Sequence, residues 1–267
     1  MKKIPKIEKP FLIYIPCFNC AGSVLRVIQE IPSSFHERAE VLVIDNCSDD
    51  DTGEILRLQL DNHPVNIPVS IIRTCENLGY AGSQKLAYWI ACQNESVRNV
   101  IMLHGDGQYL PSLIDRFLPL CDTEIDLAYG YRSKLKFGRK EETPFFTFAV
   151  IRILSILESI LTLTFRKEWH SGFVMYSTRF LQRVPFQILT DTPHLDGHLL
   201  FVSKKLNARV ISVPIYKKYI NLKAFDGDER LKYVMSVFKL MFQFHKLDYE
   251  QKRDVYMWSR EYFEILK

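Results

Sequence analysis

The chain has 267 residues, of which 47% are hydrophobic and 25% are charged, and its formal net charge is +4. This length and composition suit one soluble domain, or one domain with an appendage, that buries a substantial core. The charge is too small for a nucleic-acid-binding protein, although weak attraction to anionic lipids or phosphorylated substrates stays open.

The start of the chain and its cysteines bear on localisation. Basic residues precede the apolar run 11–15, which is shorter than the core of a signal peptide and predicts a first strand. Cys17 and Cys20 match the C-x-x-C pattern of redox and zinc sites, but no second pair accompanies them at metal-site spacing. We therefore expect reduced thiols and a cytoplasmic protein.

Apolar runs alternate with helical patterns through the first half of the chain. The predicted strands are residues 11–15, 41–44, 69–72 and 100–103. Helical patterns follow the first three of them, at residues 23–31, at residues 52–60 and after Gly79. This alternation predicts an α/β fold with a doubly wound parallel sheet. No G-x-G-x-x-G is present, which argues against a dinucleotide-binding domain.

Polar loops follow these strands, and ligands bind at that edge of an open α/β sheet. After residues 100–103, Gly105 and Gly107 flank Asp106 in the sequence HGDGQYLP. The loop after the second strand, DNCSDDDT, carries four aspartates but lacks the ligand spacing and closing glutamate of a calcium-binding EF-hand. These loops predict a polar site at the carboxyl edge of the sheet.

The segment HGDGQYLP resembles the D-x-D-G-Q-x-x-P motif of family 2 glycosyltransferases, especially dolichyl-phosphate mannose synthases and polyprenyl-phosphate sugar transferases. The resemblance implies the GT-A fold and a divalent cation, Mn²⁺ or Mg²⁺, on the diphosphate of a nucleotide sugar. Asp106, Gln108 and Pro111 match the motif, whereas His104 replaces its first aspartate. Asp106, His104 and Gln108 are thus the candidate metal ligands, and an imidazole suits Mn²⁺ better than Mg²⁺.

Further segments resemble other motifs of the family in the same order. IPCFNC resembles P-x-Y-N-E, VIDNCSDDDT resembles V-D-D-G-S-T-D-x-T, ENLGYAG resembles R-N-x-G-x-x-x-A, and an arginine follows the strand predicted at residues 126–130. In the family these positions contact the base, the ribose and the phosphates. The implied nucleotide-binding residues are Pro16, Phe18, Asn19, Asp45, Asn77, Gly79, Asp106 and Arg132.

A later segment, HLDGHLLFVSKKL, resembles the F-D-x-E-L-L motif of the family, with Asp196 matched and His198 where glutamate is common. Either side chain is a candidate base if the acceptor is a sugar hydroxyl, which must lose a proton. A polyprenyl phosphate is already an anion and needs no base. The resemblance covers about residues 10–220, which predicts a glycosyltransferase domain at residues 1–220 and a helical extension at 221–267.

Two helical segments are predicted to be amphipathic. The apolar segment 145–165 is long enough to span a bilayer, but Arg152 and Glu158 lie inside it and argue against a membrane span. Three locations for this helix remain as alternatives: the core, a dimer contact or a membrane interface. Residues 231–247 form the second segment. Its basic stripe is Lys232, Lys239 and Lys246.

The sequence thus predicts an inverting glycosyltransferase that moves a sugar from a UDP- or GDP-sugar to a polyprenyl phosphate or a glycan or lipid-linked acceptor. Because the first aspartate of the acidic pair is missing, a catalytically silent nucleotide-sugar binder or assembly partner stays open. A nucleotidyltransferase is less suited, since no Gly- and Arg-rich phosphate loop is apparent near the N-terminus. The expected partners are the donor, the acceptor and a peripheral membrane contact, without nucleic acid; a homo-oligomer stays open.

Overall fold

The computed structural model describes residues 4–133, 145–217, 227–243 and 263–267 and shows an α/β fold. The strands are β1 (Phe11–Cys17), β2 (Ala39–Asp45), β3 (Val69–Thr74), β4 (Asn99–Met102), β5 (Leu127–Arg132), β6 (Val174–Ser177), β7 (Val210–Ile215) and β8 (Phe263–Ile265). The helices are α1 (Val24–Gln29), α2 (Thr52–Asn62), α3 (Gly79–Gln93), α4 (Phe145–Leu161), α5 (Thr178–Leu181), α6 (Leu195–Lys205) and α7 (Gly227–Gln243).

These strands form a sheet in the order β7-β5-β6-β4-β1-β2-β3-β8. The pairs β1–β2, β1–β4, β2–β3 and β5–β7 are parallel, whereas β6 and β8 pair antiparallel with their neighbours. The predicted α/β class and mostly parallel sheet are therefore confirmed. Between β4 and β5 the chain forms two short 3-10 segments, Pro111–Arg116 and Leu118–Leu120.

Burial on both faces explains why the parallel strands are continuous apolar runs. In β1, Leu12 and Tyr14 belong to one buried cluster, while Phe11, Ile13 and Ile15 belong to the cluster on the opposite face. Neighbouring side chains of a strand point to opposite faces, so each run supplies both layers. This core fixes the positions at which the strands end, and the loops at those ends carry the candidate site.

The C-terminal part of the chain contributes to the same sheet and core. Strand β8 pairs with β3, and Val237 and Leu240 of α7 are buried in the main cluster. The division into a glycosyltransferase domain at residues 1–220 and a helical extension at residues 221–267 stays a prediction. Of the predicted lysine stripe, the side chain of Lys239 is exposed, while the side chain of Lys232 and all of Lys246 lie outside the described part.

Helix α4 is amphipathic, but its polar face points inward. The buried Ser155 and Ser159 accept hydrogen bonds from the backbone and the indole N–H of Trp169, at 3.2 and 3.0 Å. On the opposite face Ile156 and Ile160 are 54% and 65% exposed. Among the described residues, no helix combines the length and apolar character needed to cross a membrane. The outward face of α4 is therefore an apolar surface patch.

Candidate active site at the carboxyl edge of the sheet

The loops after β1, β2 and β4 meet at one edge of the sheet, as predicted. The backbone N–H of Gly105 donates to the carbonyl of Pro16 over 3.4 Å, and the Ser23 hydroxyl donates to the carbonyl of Gly105 over 2.7 Å. A Cβ at Gly105 would lie 2.7 Å from the sulfur of Cys17. Only glycine therefore allows the HGDGQ loop to pack this closely on the first loop.

The loop after β1 is locked to the loop after β2. Asn19, in the left-handed conformation at φ 55°, donates its backbone N–H to Ser48 Oγ over 3.0 Å. Its side-chain oxygen accepts the backbone N–H of Asp49 over 2.9 Å. Phe18 beside it is exposed. Pro16, Phe18 and Asn19 thus lie on one rigid rim of the site, and their contacts with a nucleotide stay predictions.

Asp45 lies at the end of β2 with its side chain fully buried. The carboxylate accepts backbone N–H groups of Ser48 and Gly53, at 2.9 and 3.1 Å, and faces the guanidinium of Arg73 at 3.4 Å. These bonds fix the second loop and the first turn of α2. The predicted contact between Asp45 and a base stays a prediction, and the structure shows a loop-holding role for this carboxylate.

Asn46, Asn77 and Gly79 connect the second and third loops. The amide of Asn46 donates to the side-chain oxygen of Asn77 over 2.9 Å, and the same oxygen accepts the backbone N–H of Gly79 over 2.8 Å. Gly79 has φ +69°, a conformation that favours glycine. Asn77 and Gly79 therefore shape the start of α3 beside the proposed nucleotide site.

His104 contacts two aromatic rings just after the end of β4. Its ring stacks on Tyr80 with centroids 6.0 Å apart, and the ring centroid of Tyr109 lies 5.0 Å away. Nε2 lies 3.1 Å from the carbonyl oxygen of Gly172. Because a carbonyl only accepts, Nε2 carries the hydrogen. Burial lowers the pKa of His104, so the ring is neutral and Nδ1 is the nitrogen that can bind a metal.

Asp106 is exposed in the same loop, and its Oδ1 accepts the backbone N–H of Gln108 over 2.9 Å. Gly107 between them has φ +71°. Mg²⁺ and Mn²⁺ sites are commonly built from one or two carboxylates together with substrate phosphates. Asp106 fits the cation that the family resemblance implies, whereas ligation by His104 and by the side chain of Gln108 stays a prediction.

Arg132 lies at the end of β5 and is held by a buried carboxylate. Its Nε donates to Glu168 over 2.7 Å and its Nη2 donates to the carbonyl of His170 over 2.6 Å. The backbone N–H of Arg132 donates to the same carboxylate over 2.7 Å. Arg132 thus organises the segment before β6, and its predicted contact with donor phosphates stays a prediction.

Lys217 is a cation at this edge that the motif comparison missed. It follows β7, and its ammonium lies 5.1 Å from the ring centroid of Tyr109. Burial and the charge of Arg132 lower its pKa to about 8, while Asp106 opposes the shift. The signal available in the sequence was its position just after a strand parallel to β5, the same rule that located the other loops.

Asp196 and His198 are both buried on α6 but have different surroundings. Asp196 accepts hydrogen bonds from Gln84 and Tyr176 on one oxygen and from Tyr80 on the other, at 2.6, 3.0 and 3.1 Å. Since Tyr80 also stacks on His104, Asp196 lies one side chain away from the metal-binding loop. His198 accepts the backbone N–H of Thr190. Burial, together with the charges of His194 and Lys85, lowers its pKa.

The model of the family described as Glycosyl transferase family 2 matches residues 12–198. The chain belongs to glycosyl transferase family 2. The match includes all of β1 except Phe11, the loops after β1, β2 and β4, and Asp196, whereas Lys217 lies outside it. A family 2 chain is a glycosyltransferase, which confirms the predicted enzyme class. No curated protein sequence matches the chain.

Solved structures support the same fold. Glucosyl-3-phosphoglycerate synthase from Mycobacterium tuberculosis with Mn²⁺ and UDP-glucose is 15% identical, with TM-score 0.62 and coverage of 90% of this chain and 80% of that one. Its UDP complex is 16% identical, with TM-score 0.61 and coverage of 88% and 80%. At this identity the similarity establishes the fold, and the predicted GT-A architecture is confirmed.

Proposed function

We propose that this family 2 glycosyltransferase transfers a hexose, with inversion, from a UDP- or GDP-sugar to a polyprenyl phosphate at the cytoplasmic face of a membrane. The observation that carries the proposal is the outward apolar face of α4 next to the candidate site. Arg152 of this helix donates to the carbonyl oxygens of Arg132 and Lys167. An acceptor lipid lying along α4 would therefore present its phosphate to the loop that holds Arg132.

The donor would lie across the loops after β1, β2 and β4, with its diphosphate at Asp106. When bound there by Asp106, a divalent cation neutralises the charge that develops on the leaving diphosphate. Lys217 adds a cation at the same edge. The structures similar in fold include complexes with Mn²⁺ and UDP-glucose, which supports this placement.

A phosphate acceptor agrees with the groups around the edge. The phosphate oxygen is already anionic, so it can attack the anomeric carbon without a general base. Arginine and lysine side chains bind phosphate, and Lys167 lies over the ring of Tyr131, the neighbour of Arg132 in β5, while Lys217 lies over the ring of Tyr109 in the loop after β4. The similar Mycobacterium tuberculosis enzyme is also seen with a phosphate-bearing molecule, phosphoglyceric acid. Membership of the dolichyl-phosphate mannose synthase branch is part of this proposal.

The test is transfer from labelled UDP- and GDP-sugars to a polyprenyl phosphate, with and without Mn²⁺. Formation of a chloroform-soluble labelled product supports the proposal. Phosphoglyceric acid and an alkyl hexoside serve as alternative acceptors. Binding of a nucleotide sugar without hydrolysis or transfer to any acceptor would instead favour the catalytically silent binder.

Replacing Asp106 by asparagine is expected to lower Mn²⁺-dependent affinity for UDP or GDP at least tenfold, about 1.4 kcal/mol, because the amide cannot replace the carboxylate charge. Isothermal titration calorimetry with and without Mn²⁺ measures this effect. Asp61→Asn is the control, since Asp61 is an exposed carboxylate paired with Lys267. Unchanged affinity in Asp106→Asn would remove the metal role of this residue.

The proposed membrane contact predicts that the protein floats with anionic liposomes at low salt, because the apolar face of α4 enters the interface. Ile156→Glu with Ile160→Glu is expected to abolish flotation. Leu58→Glu is the control, since Leu58 on α2 is also 52% exposed. Wild-type protein that stays with the aqueous fraction would contradict the membrane contact, and a concentration-dependent dimer would assign the face to a second copy.

A further inference from the structure

A second cluster of ionisable side chains lies in the interior and shares no residue with the HGDGQ loop. Glu158 comes from α4, His170 from the segment before β6, and His194 from the residue before α6. Carboxylate oxygens of Glu158 lie 2.9 Å from His170 Nε2 and 3.5 Å from His194 Nε2. The three side chains are between 0% and 2% exposed. Three separate elements therefore converge on one small buried volume.

The polar atoms at the centre of this cluster do not satisfy one another. Both oxygens of Glu158 and both Nε2 atoms are buried and lack a hydrogen-bond partner within the described ranges of the chain. The distances are those of an ion pair, but the directions are not those of hydrogen bonds. Leaving such groups unpaired in the interior is costly. A ligand that binds all of them at once would remove this cost.

Tyr233 of α7 fixes the orientation of both imidazoles. Its hydroxyl oxygen lies 2.8 Å from His170 Nδ1 and 3.3 Å from His194 Nδ1. An oxygen with two lone pairs can accept an N–H from each ring, and both Nε2 atoms then carry lone pairs directed at the centre. Metal-binding histidines are commonly oriented in this way, with the second ring nitrogen donating to a neighbouring acceptor.

The spacing of the three ligand atoms suits a transition-metal ion. They all lie within 4.8 Å of one another. Zinc binds histidine nitrogen and carboxylate oxygen at about 2.0 to 2.2 Å, so neighbouring ligands of a tetrahedral site are roughly 3.4 Å apart. Two imidazoles and one carboxylate favour Zn²⁺ or a similar first-row ion over Mg²⁺, which prefers oxygen.

We propose that Glu158, His170 and His194 supply three of the four ligands of a tetrahedral Zn²⁺ ion, with Tyr233 as the positioning residue of both histidines. The ion would join α4, the segment before β6, α6 and α7. It differs from the cation predicted at Asp106, and the proposal does not rest on the proposed glycosyl transfer. In the competing arrangement no metal is bound. One of the two histidines is protonated instead, and its imidazolium pairs with the carboxylate of Glu158.

The experiment measures bound metal in the full chain, purified without a histidine tag, by elemental analysis. We expect about one Zn²⁺ per chain. His170→Gln and Glu158→Gln are expected to lose it, whereas Asp106→Asn and the exposed control His63→Gln retain it. Tyr233→Phe keeps the aromatic ring, and we expect its Zn²⁺ affinity to fall about 10- to 100-fold in a competition titration with a chelator.

Cobalt replacement gives a second readout that a folding defect cannot imitate. Co²⁺ added to chelator-treated wild-type protein should give the visible absorption of a tetrahedral site, and the Tyr233→Phe spectrum should require more Co²⁺ for saturation. Wild-type protein that contains less than about one tenth of an equivalent of metal and is not stabilised against heat by added Zn²⁺ would overturn the proposal. It would assign the cluster to the proton-bound ion pair.

Discussion

Replacing Arg132 by alanine is expected to lower the free energy of unfolding by about 3–5 kcal/mol. The guanidinium lies 2.5 Å from the carboxylate of Glu168, and the two side chains are 9% and 1% exposed. Removing the cation leaves a buried carboxylate that still accepts the backbone N–H of residue 132 but has lost its charged partner. Urea unfolding, monitored by circular dichroism, measures the loss.

The matched control is Arg209→Ala. Arg209 lies 2.6 Å from Glu124, a similar distance, but these side chains are 67% and 70% exposed. Water screens such a pair, so we expect a loss below about 1 kcal/mol. Arg132→Met with Glu168→Met should recover much of the stability, because no charge is left unpaired in the interior. Equal losses in Arg132→Ala and Arg209→Ala would show that the Arg132 pair is not buried in solution.

The sequence predicted β1 to β4 because burial on both faces imposes continuous apolar runs. It did not predict β7, which pairs in parallel with β5. It also did not predict β6 and β8, which have four and three residues and form antiparallel pairs with strands distant in sequence. Periodicity also located the amphipathic helix α4 without deciding which face packs inward. Here Trp169 supplies the hydrogen bonds that make the serine face the buried one.

The edge of the sheet was predictable for a similar reason. Loops that follow parallel strands must meet at one edge, so Asp45 and Asp106 could be assigned to it from their positions. Their hydrogen bonds could not, because these depend on backbone N–H groups oriented by the folded loop. The cluster around Glu158 was also missed. Its members are 12 and 24 residues apart along the chain, and no local motif connects them.

Asp196 is the better of the two candidate bases. Burial raises the pKa of its carboxyl to about 6, against three hydrogen bonds that lower it. Burial lowers the pKa of His198 to about 3. A general base works best when its pKa is near the working pH, which favours Asp196. Asp196→Asn is therefore expected to lower kcat by about 10²- to 10⁴-fold with an alkyl hexoside, whose hydroxyl must lose a proton.

With a polyprenyl phosphate we expect less than about a tenfold loss in Asp196→Asn, since the anionic acceptor does not need the base. For wild-type protein and the hexoside, kcat should rise with pH through about 6, as Asp196 loses its proton. That rise should be missing in Asp196→Asn and retained in the exposed control Asp115→Asn. Equal losses with both acceptors would make Asp196 a positioning residue for Tyr80 and His104.

The raised pKa of Asp196 also predicts how the free energy of unfolding changes with pH. Its pKa in the folded protein is raised from 3.8 to about 6. The folded state then binds the proton more tightly than the unfolded state. Stability should consequently fall by about 3 kcal/mol as pH rises from about 4 to 6, relative to Asp196→Asn, which has no such group. Urea unfolding at several pH values measures the difference. A constant difference between the two proteins would mean that the carboxyl titrates normally, which would also remove the argument for Asp196 as the base.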